Sequence, residues 1–547
     1  MSDSVLDDLK QIAEDAENTQ KGLLARILKK NSDTVYGRKY VFSGIDSCMD
    51  YQSRVPLTDW KDYEDYISRM ISGESKVLTS DDVTYYCISS GASDQPKYIP
   101  LTSEDIELQG RYWIEGVGEC INDYFKARGR SNPKPKIFNI GEYFLTEMDN
   151  GTMSGVRAGA PYLYRENAGL TDYELYTAPK EVLFPGKLED MLYMKLRFAL
   201  EERSVTAIHA IFVHKIVGLF DYLCRNWEFF IEDIMTGRVS PHFGISDEWK
   251  AYIEGRLKGN PARANELKNI PLGDGKGLAV RIWPELRYVC VAGGSIFASY
   301  MRSLRKYIGR TPIHHFVYAT SESNLGISLN MNSEDADYVL IPDSAVFEFM
   351  PVDGSPERPL MAWEVEKDAE YELYVTTLSG LYRYSVQDIV KVVDFYGRMP
   401  VVSISYRKNQ VMDLANEHVT MRQIEEAADH LGRCMGAAIL GFCIDAGESS
   451  GTPDYTVYIE TGMGRSNNDS KCSDIIDGFL KDHNKDYCHA RETGALGIPR
   501  VVSLRRGAFR SYGAHLSDSG YRMEQNKPLH IISTEDQRDF FRRIAEE

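Results

Sequence analysis

Between residues 4 and 30, apolar residues recur at helical spacing: Val5, Leu6, Leu9 and Ile12, then Leu23, Leu24, Ile27 and Leu28. That pattern predicts an amphipathic opening helix or pair of helices. From about residue 84 to 406, short β-branched and aromatic runs alternate with longer stretches at helical period. The runs predict strands at 136–140, 207–213, 288–292, 316–320, 345–350, 371–377 and 389–395, and the helical stretches lie at 104–126, 188–202 and 215–234. This alternation points to α/β layering. After Arg407 the order changes to a helix at 420–432, strands at 437–445 and 455–460, a helix near 470–484, and strands at 501–504 and 530–533. A smaller α+β module fits that order. The connector between the two parts, about 407–416, reads as a short hinge.

Composition narrows the function classes. A chain of 547 residues with 43% apolar and 26% charged residues can bury more than one core and is globular. Its 63 basic and 81 acidic residues give a net charge of -18, which repels nucleic acid and anionic membrane, and no local basic patch offsets it. Nine cysteines without any C-x-x-C spacing fit a reducing compartment and no zinc or disulfide framework. The opening residues, with Asp3, Asp7 and Asp8, carry no apolar leader core, and no run approaches the ~20 apolar residues that span a bilayer. The expectation is a soluble, cytoplasmic, monomeric protein with no nucleic-acid or membrane partner.

Four segments carry candidate chemistry. SSGASDQPKYIP, Ser89 to Pro100, follows a predicted strand with small and hydroxyl residues. Ser89, Ser90, Gly91 and Ser93 would let backbone amides approach a polyphosphate, and Lys97 would neutralise its charge. YATSESNLGIS, Tyr318 to Ser328, ends a strand in Ala319, Thr320, Ser321 and Glu322. If that strand is parallel to its neighbours, these residues face the crevice where open α/β sheets bind ligands, and Glu322 would hold Mg²⁺ on phosphate. In LYRYSVQDIVKVVDFY, Leu381 to Tyr396, Asp388 begins a strand and would accept from both ribose hydroxyls, with Arg407 beyond the next strand in reach of phosphate or ribose. In MEQNKPLHI, Met523 to Ile531, Lys527 is placed like a mobile catalytic lysine. Each also has a plain reading: a turn, a capping carboxylate, a solvated flanking charge, a surface lysine.

Taken in order, these segments resemble the acyl acid amido synthetases of the Gretchen Hagen family, a branch of the acyl-adenylate-forming enzymes. The phosphate-loop core and its lysine, the Tyr-x-Ser-Ser-Glu motif approximated by YATSE, and the Tyr-Arg-x-Gly-Asp-Val motif approximated by YRYSVQDIV carry the likeness. It extends to NSDTVYGRKY, WEFFIEDIMTG, IWPELRYVCVAGGS, FEFMP and RETGALGIPRVV, across nearly the whole chain. The chain departs from the pattern at Asp94 and Gln95, where the family has an internal glycine in a loop one residue longer, and at Gln387, which replaces the glycine before Asp388. Asn416, Glu417 and His418 stand where Gly-Glu-Lys is usual, and His418 would be a cation there only when protonated.

The resemblance implies an α/β protein with a large adenylate-forming domain (1–406), a hinge (407–416) and a small mobile α+β domain (417–547). It implies ATP and Mg²⁺ as cofactors, a small carboxylic acid and an amine or amino acid as substrates, Tyr318 at adenine, and Lys97, Glu322 and Lys527 in catalysis. Arg111 would meet the substrate carboxylate, and the aromatic-rich helical stretches would line the acyl pocket with Tyr112, Trp113, Tyr193, Phe212 and Phe220, each also readable as ordinary core, with Gly294 a further substrate contact. An acyl-CoA ligase and a non-catalytic binding member of the fold are the rival readings.

Overall fold

The opening apolar spacing folds into two helices, Val5–Glu14 and Ala16–Lys30. Ser4 caps the first by accepting from the Asp7 amide, and Asp7 and Asp8 lie in its first turn, where the helix dipole favours negative charge. Its buried residues Val5, Leu9 and Ala13 fall four apart on one face. Glu119 fastens this end: its carboxylate accepts from the Ser4 hydroxyl at 2.9 Å and from the Val5 and Leu6 amides at 2.9 and 3.0 Å.

The structure is a computed structural model describing residues 4–89, 96–130, 134–141, 143–184, 191–293, 298–331, 336–408, 411–449, 451–465, 468–518 and 529–546. These form two compact units, one drawn from residues up to 89, 96–386 and 390–405, the other from 387–389 and from 406 onward. Among the described residues, no helix is long and apolar enough to cross a membrane.

Three sheets build the first unit. A parallel sheet runs in the order Ile137–Asn139, Ala207–Phe212, Tyr288–Ala292, Ile313–His314. Its register aligns Asn139, His209, Cys290 and His314 in one row across the strands. One face packs on helices Met191–Glu201, Val213–Arg225 and Ala298–Ile308 through Phe138, Leu196, Ile208, Phe220, Trp283 and Leu304. A second sheet is ordered Lys97–Thr102, Val83–Ser89, Met153–Gly155, Leu145–Glu147, its first two strands antiparallel with Ser89 opposite Lys97. Gly155 permits this sheet to close, because a Cβ there would lie 2.5 Å from both the Phe144 carbonyl oxygen and the Tyr85 hydroxyl.

The third sheet has eight strands, ordered Leu360–Met361, Ala345–Pro351, Glu370–Thr377, Tyr384–Tyr396, Met399–Arg407, Asp337–Leu340, Asn324–Ile327 and Val317–Ala319. The strand carrying Tyr318 is therefore an edge strand paired antiparallel with Asn324–Ile327, and the parallel placement expected for it is corrected. Alternating short and long apolar runs cannot by themselves distinguish a crossover from a hairpin when the intervening segment is as short as Thr320–Ser323.

The helix expected at 104–126 forms, but with a π-turn over Arg111–Gly116 between Ser103–Gly110 and Val117–Lys126. The stretch 215–234 divides at Asn226 into Val213–Arg225 and Trp227–Thr236.

In the second unit, the hairpin Ile439–Ser449/Thr452–Thr461 is extended by the parallel strand Arg500–Leu504. The helices Met421–Met435 and Asp469–His483 share a core of Ile424, Leu431, Phe442, Val457, Ile476 and Leu480. The strand expected at 530–533 is an isolated bridge of Ile531 to Ile444, held by two backbone hydrogen bonds of 2.7 and 2.8 Å. Within the expected hinge, Val411–Met412 pairs antiparallel with Val419–Thr420.

Candidate functional site

In the first unit, antiparallel pairing places Ser89 and Lys97 directly across from each other, both half-buried. The Lys97 ammonium lies 5.6 Å from the centroid of the Trp60 ring. Among the described residues no ion-pair partner of Lys97 is seen. Ser90, Gly91 and Ser93 lie outside the described residues.

The YATSE segment is a tight turn leaving the edge strand. Thr320 is buried; its hydroxyl accepts from the Glu322 and Ser323 amides at 3.3 Å each, and its own amide donates to the Ser323 carbonyl at 3.0 Å. Tyr318 is also buried, its ring 5.8 Å from that of Tyr338, whereas Ala319 is exposed. Arg157 holds the Ser321 carbonyl at 3.2 Å. Glu322 is half-buried, and among the described residues its carboxylate has no hydrogen-bond or ion-pair partner. Beside it, burial pushes the Cys87 thiol up to about 12, with Arg157 opposing that rise and Glu322 reinforcing it.

A carboxylate without a resident partner is the donor type Mg²⁺ takes when most of its remaining ligands are phosphate oxygens and water. Among the described residues no group of three or more His, Cys, Asp or Glu side chains is placed to hold a metal.

In the second unit, Asp388 and Arg407 face each other: Arg407 Nε donates to Asp388 Oδ1 at 2.7 Å, and Asp388 is buried. The two residues, each expected from the sequence at the nucleotide, also pair with each other. Gln387, just before Asp388, has a φ of +61°. Asn416 and His418 also have positive φ, +61° and +45°. Between them Glu417 is fully buried, accepting from the Leu414 and Ala415 amides at 2.8 and 2.6 Å. His418 is largely exposed, with Nε2 3.3 Å from Asp413.

The acyl-pocket residues are placed as follows. Arg111 pairs with Asp8 of the opening helix. Tyr112 is fully buried and donates to Asp343 at 3.2 Å, and burial raises the carboxyl of Asp343 above its ordinary range. Phe212 is half-buried at the end of its strand. Gly294 and Lys527 lie outside the described residues. Sequence reasoning missed Arg157 and its partner Asp105, because a single arginine in Gly-Val-Arg-Ala-Gly has neither periodicity nor motif spacing to mark it.

The chain matches three consecutive family patterns: the GH3 family N-terminal domain over residues 5–313, the central domain over 338–407 and the C-terminal domain over 418–536. The chain belongs to the GH3 family. A GH3 relative, the indole-3-acetic acid-amido synthetase GH3.4 of Arabidopsis thaliana, is 27% identical over 479 residues, covering 83% of this chain and 78% of its own. The jasmonoyl-L-amino acid synthetase JAR4 of Nicotiana attenuata is 25% identical over 547 residues, covering 96% and 92%. A solved GH3 structure, the AtGH3.15 acyl acid amido synthetase in complex with 2,4-DB, superposes with a TM-score of 0.86 at 21% identity, covering 98% of this chain and 95% of that one. That likeness establishes the α/β fold.

Proposed function

We propose that this GH3 chain is an ATP-dependent ligase that adenylates a small carboxylic acid and transfers the acyl group to the amine of an amino acid. In the first half-reaction a carboxylate oxygen attacks the α-phosphorus of ATP; an acyl–phosphate bond forms and pyrophosphate leaves. In the second, a neutral amine attacks the acyl carbon, the amide forms, AMP leaves and the amine proton is released.

The observation that carries the reading is the family match in all three parts of the chain, and the relatives' names, which join an acid to an amino acid, support the reaction class. The first step brings two anions together and needs fixed positive charge. Lys97 supplies it from its place opposite Ser89. Glu322 would hold Mg²⁺, which when bound screens the phosphate charge. Lys527 is assigned to the same step. Asp388 and Arg407 are assigned to the ribose and its phosphate.

ATP–pyrophosphate exchange measured over a panel of aryl and alkyl acids tests the first half-reaction, and product analysis with amino acids or coenzyme A tests the second. Acid-dependent exchange followed by amide formation is the expected result. Thioester formation would assign an acyl-CoA ligase, and absence of exchange with every acid would leave a binding protein.

A further inference from the structure

A chain of buried polar contacts links the Glu322 turn to the end of the strand that Lys97 begins and to Ser379, two residues before the Leu381–Tyr396 segment. Arg157, 6% exposed, donates through Nη2 to Asp105 in the first turn of Ser103–Gly110 and through Nη1 to the Ser321 carbonyl at 3.2 Å. The other oxygen of Asp105 accepts from the Ser379 hydroxyl at 2.9 Å, and Ser379 Oγ accepts from the Thr102 amide at 3.0 Å. Asp105 and Ser379 are 3% and 1% exposed. Thr102 ends the strand that Lys97 begins, Ser321 precedes Glu322, and Ser379 precedes the Leu381–Tyr396 segment.

Stability alone does not call for such a device. A buried ion pair is often replaceable by apolar side chains of similar volume with no loss of stability, whereas its directed donors fix geometry. Here one guanidinium grips a backbone carbonyl in the turn that presents Glu322 and, through Asp105, a hydroxyl bound to the Lys97 strand.

The geometry points to Arg157 as a positioning residue for adenylation: it holds the Glu322 turn in register with the Lys97 strand and with the segment after Ser379. This rests on the reading of Glu322 as the Mg²⁺ contact. Arg157 itself touches no reacting atom.

The test is pyrophosphate exchange by the full chain over a Mg²⁺ titration, with thermal unfolding measured alongside. Arg157→Gln is expected to raise the Mg²⁺ concentration for half-maximal exchange about tenfold, the lower end of the usual effect of losing an outer-shell support. Arg157→Lys, which keeps the charge opposite Asp105 but loses the forked donors, is expected to shift it less. Because Arg157→Gln strands a buried carboxylate, the double variant Arg157→Gln with Asp105→Asn separates the roles. It is expected to recover thermal stability and retain the Mg²⁺ shift. Recovery of both, or activity lost only in proportion to the folded fraction with an unchanged Mg²⁺ midpoint, would overturn the proposal. Should these variants not fold, Ser379→Ala decides: a shift of about threefold is expected, within the net value of one hydrogen bond, and no shift counts against the brace. Glu322→Gln is the control. If it too leaves the Mg²⁺ midpoint unmoved, the reading of Glu322 falls and this inference with it; if it shifts while the Arg157 and Ser379 variants do not, the brace alone is wrong.

Discussion

At Gln387 the backbone takes a φ of +61°, in the left-handed region where a Cβ costs about 1–2 kcal/mol. The family pattern has glycine there, so this chain meets the same backbone requirement with a less suited residue. Gln387→Val, β-branched, is expected to be less stable than Gln387→Gly by about 1–2 kcal/mol in denaturant titration. Equal stability of the two variants would mean the left-handed conformation is not adopted. His314 gives a second prediction. It is fully buried, its Nδ1 accepts from the Phe316 amide at 3.0 Å, and burial, reinforced by His315, pulls its pKa from 6.5 down to about 3. Between those values the unfolded chain binds a proton that the folded chain refuses. Stability is therefore fully present above about pH 6.5 and declines as pH falls toward 3. Asparagine can accept from the same amide without titrating. His314→Asn should make the fall in stability from pH 6.5 to 5 shallower by about 1 kcal/mol per pH unit on average; an unchanged slope would remove His314 from the acid response.

Among elements, those whose ends are set by local chemistry were legible in the sequence, and those set by tertiary packing were not. The opening helices follow from apolar period, with a Ser4 cap on the first, and the helix at 421–435 from period and its Thr420 cap. The π-turn over Arg111–Gly116 does not, because it is decided by partners distant in sequence: Arg111 meets Asp8, Tyr112 meets Asp343, and Gly116 packs where a Cβ would lie 3.1 Å from Ile327. Likewise the β-like run at 530–533 makes only a bridge, although its composition is that of a strand. The capping box of Met421–Met435, in which Thr420 accepts from the Gln423 amide and Gln423 from the Thr420 amide, gives an element-level prediction. Thr420→Ala should cost about 1 kcal/mol and speed amide exchange in the first turn of that helix. All six tryptophans lie between residues 60 and 363, so tryptophan-detected unfolding reports the first unit. Exchange that accelerates equally in both units would show that the cap supports more than its own helix.

For the whole molecule, the reaction class was readable because the motifs, taken in order, resemble those of a known family; no single motif's spacing carries it. The support beneath them was not readable: Arg157, Asp105 and Ser379 are separated by 52 and 274 residues, and only the fold brings them together. Lys527, outside the described residues, makes a prediction that belongs to the full reaction. A lysine that stabilises charge in the first half-reaction and has no part in the second lowers one barrier only, so its removal must separate the two rates. Lys527→Ala is expected to slow pyrophosphate exchange on the order of 10²-fold, as the loss of one positioned charge donor typically does, while amide formation from a supplied acyl adenylate stays within a few-fold of the unaltered chain. Exchange should remain slow at saturating ATP, since the lost contact is to developing charge and not to ground-state nucleotide. Equal losses in the two half-reactions would give Lys527 a structural role. A loss confined to limiting ATP would make it a binding residue.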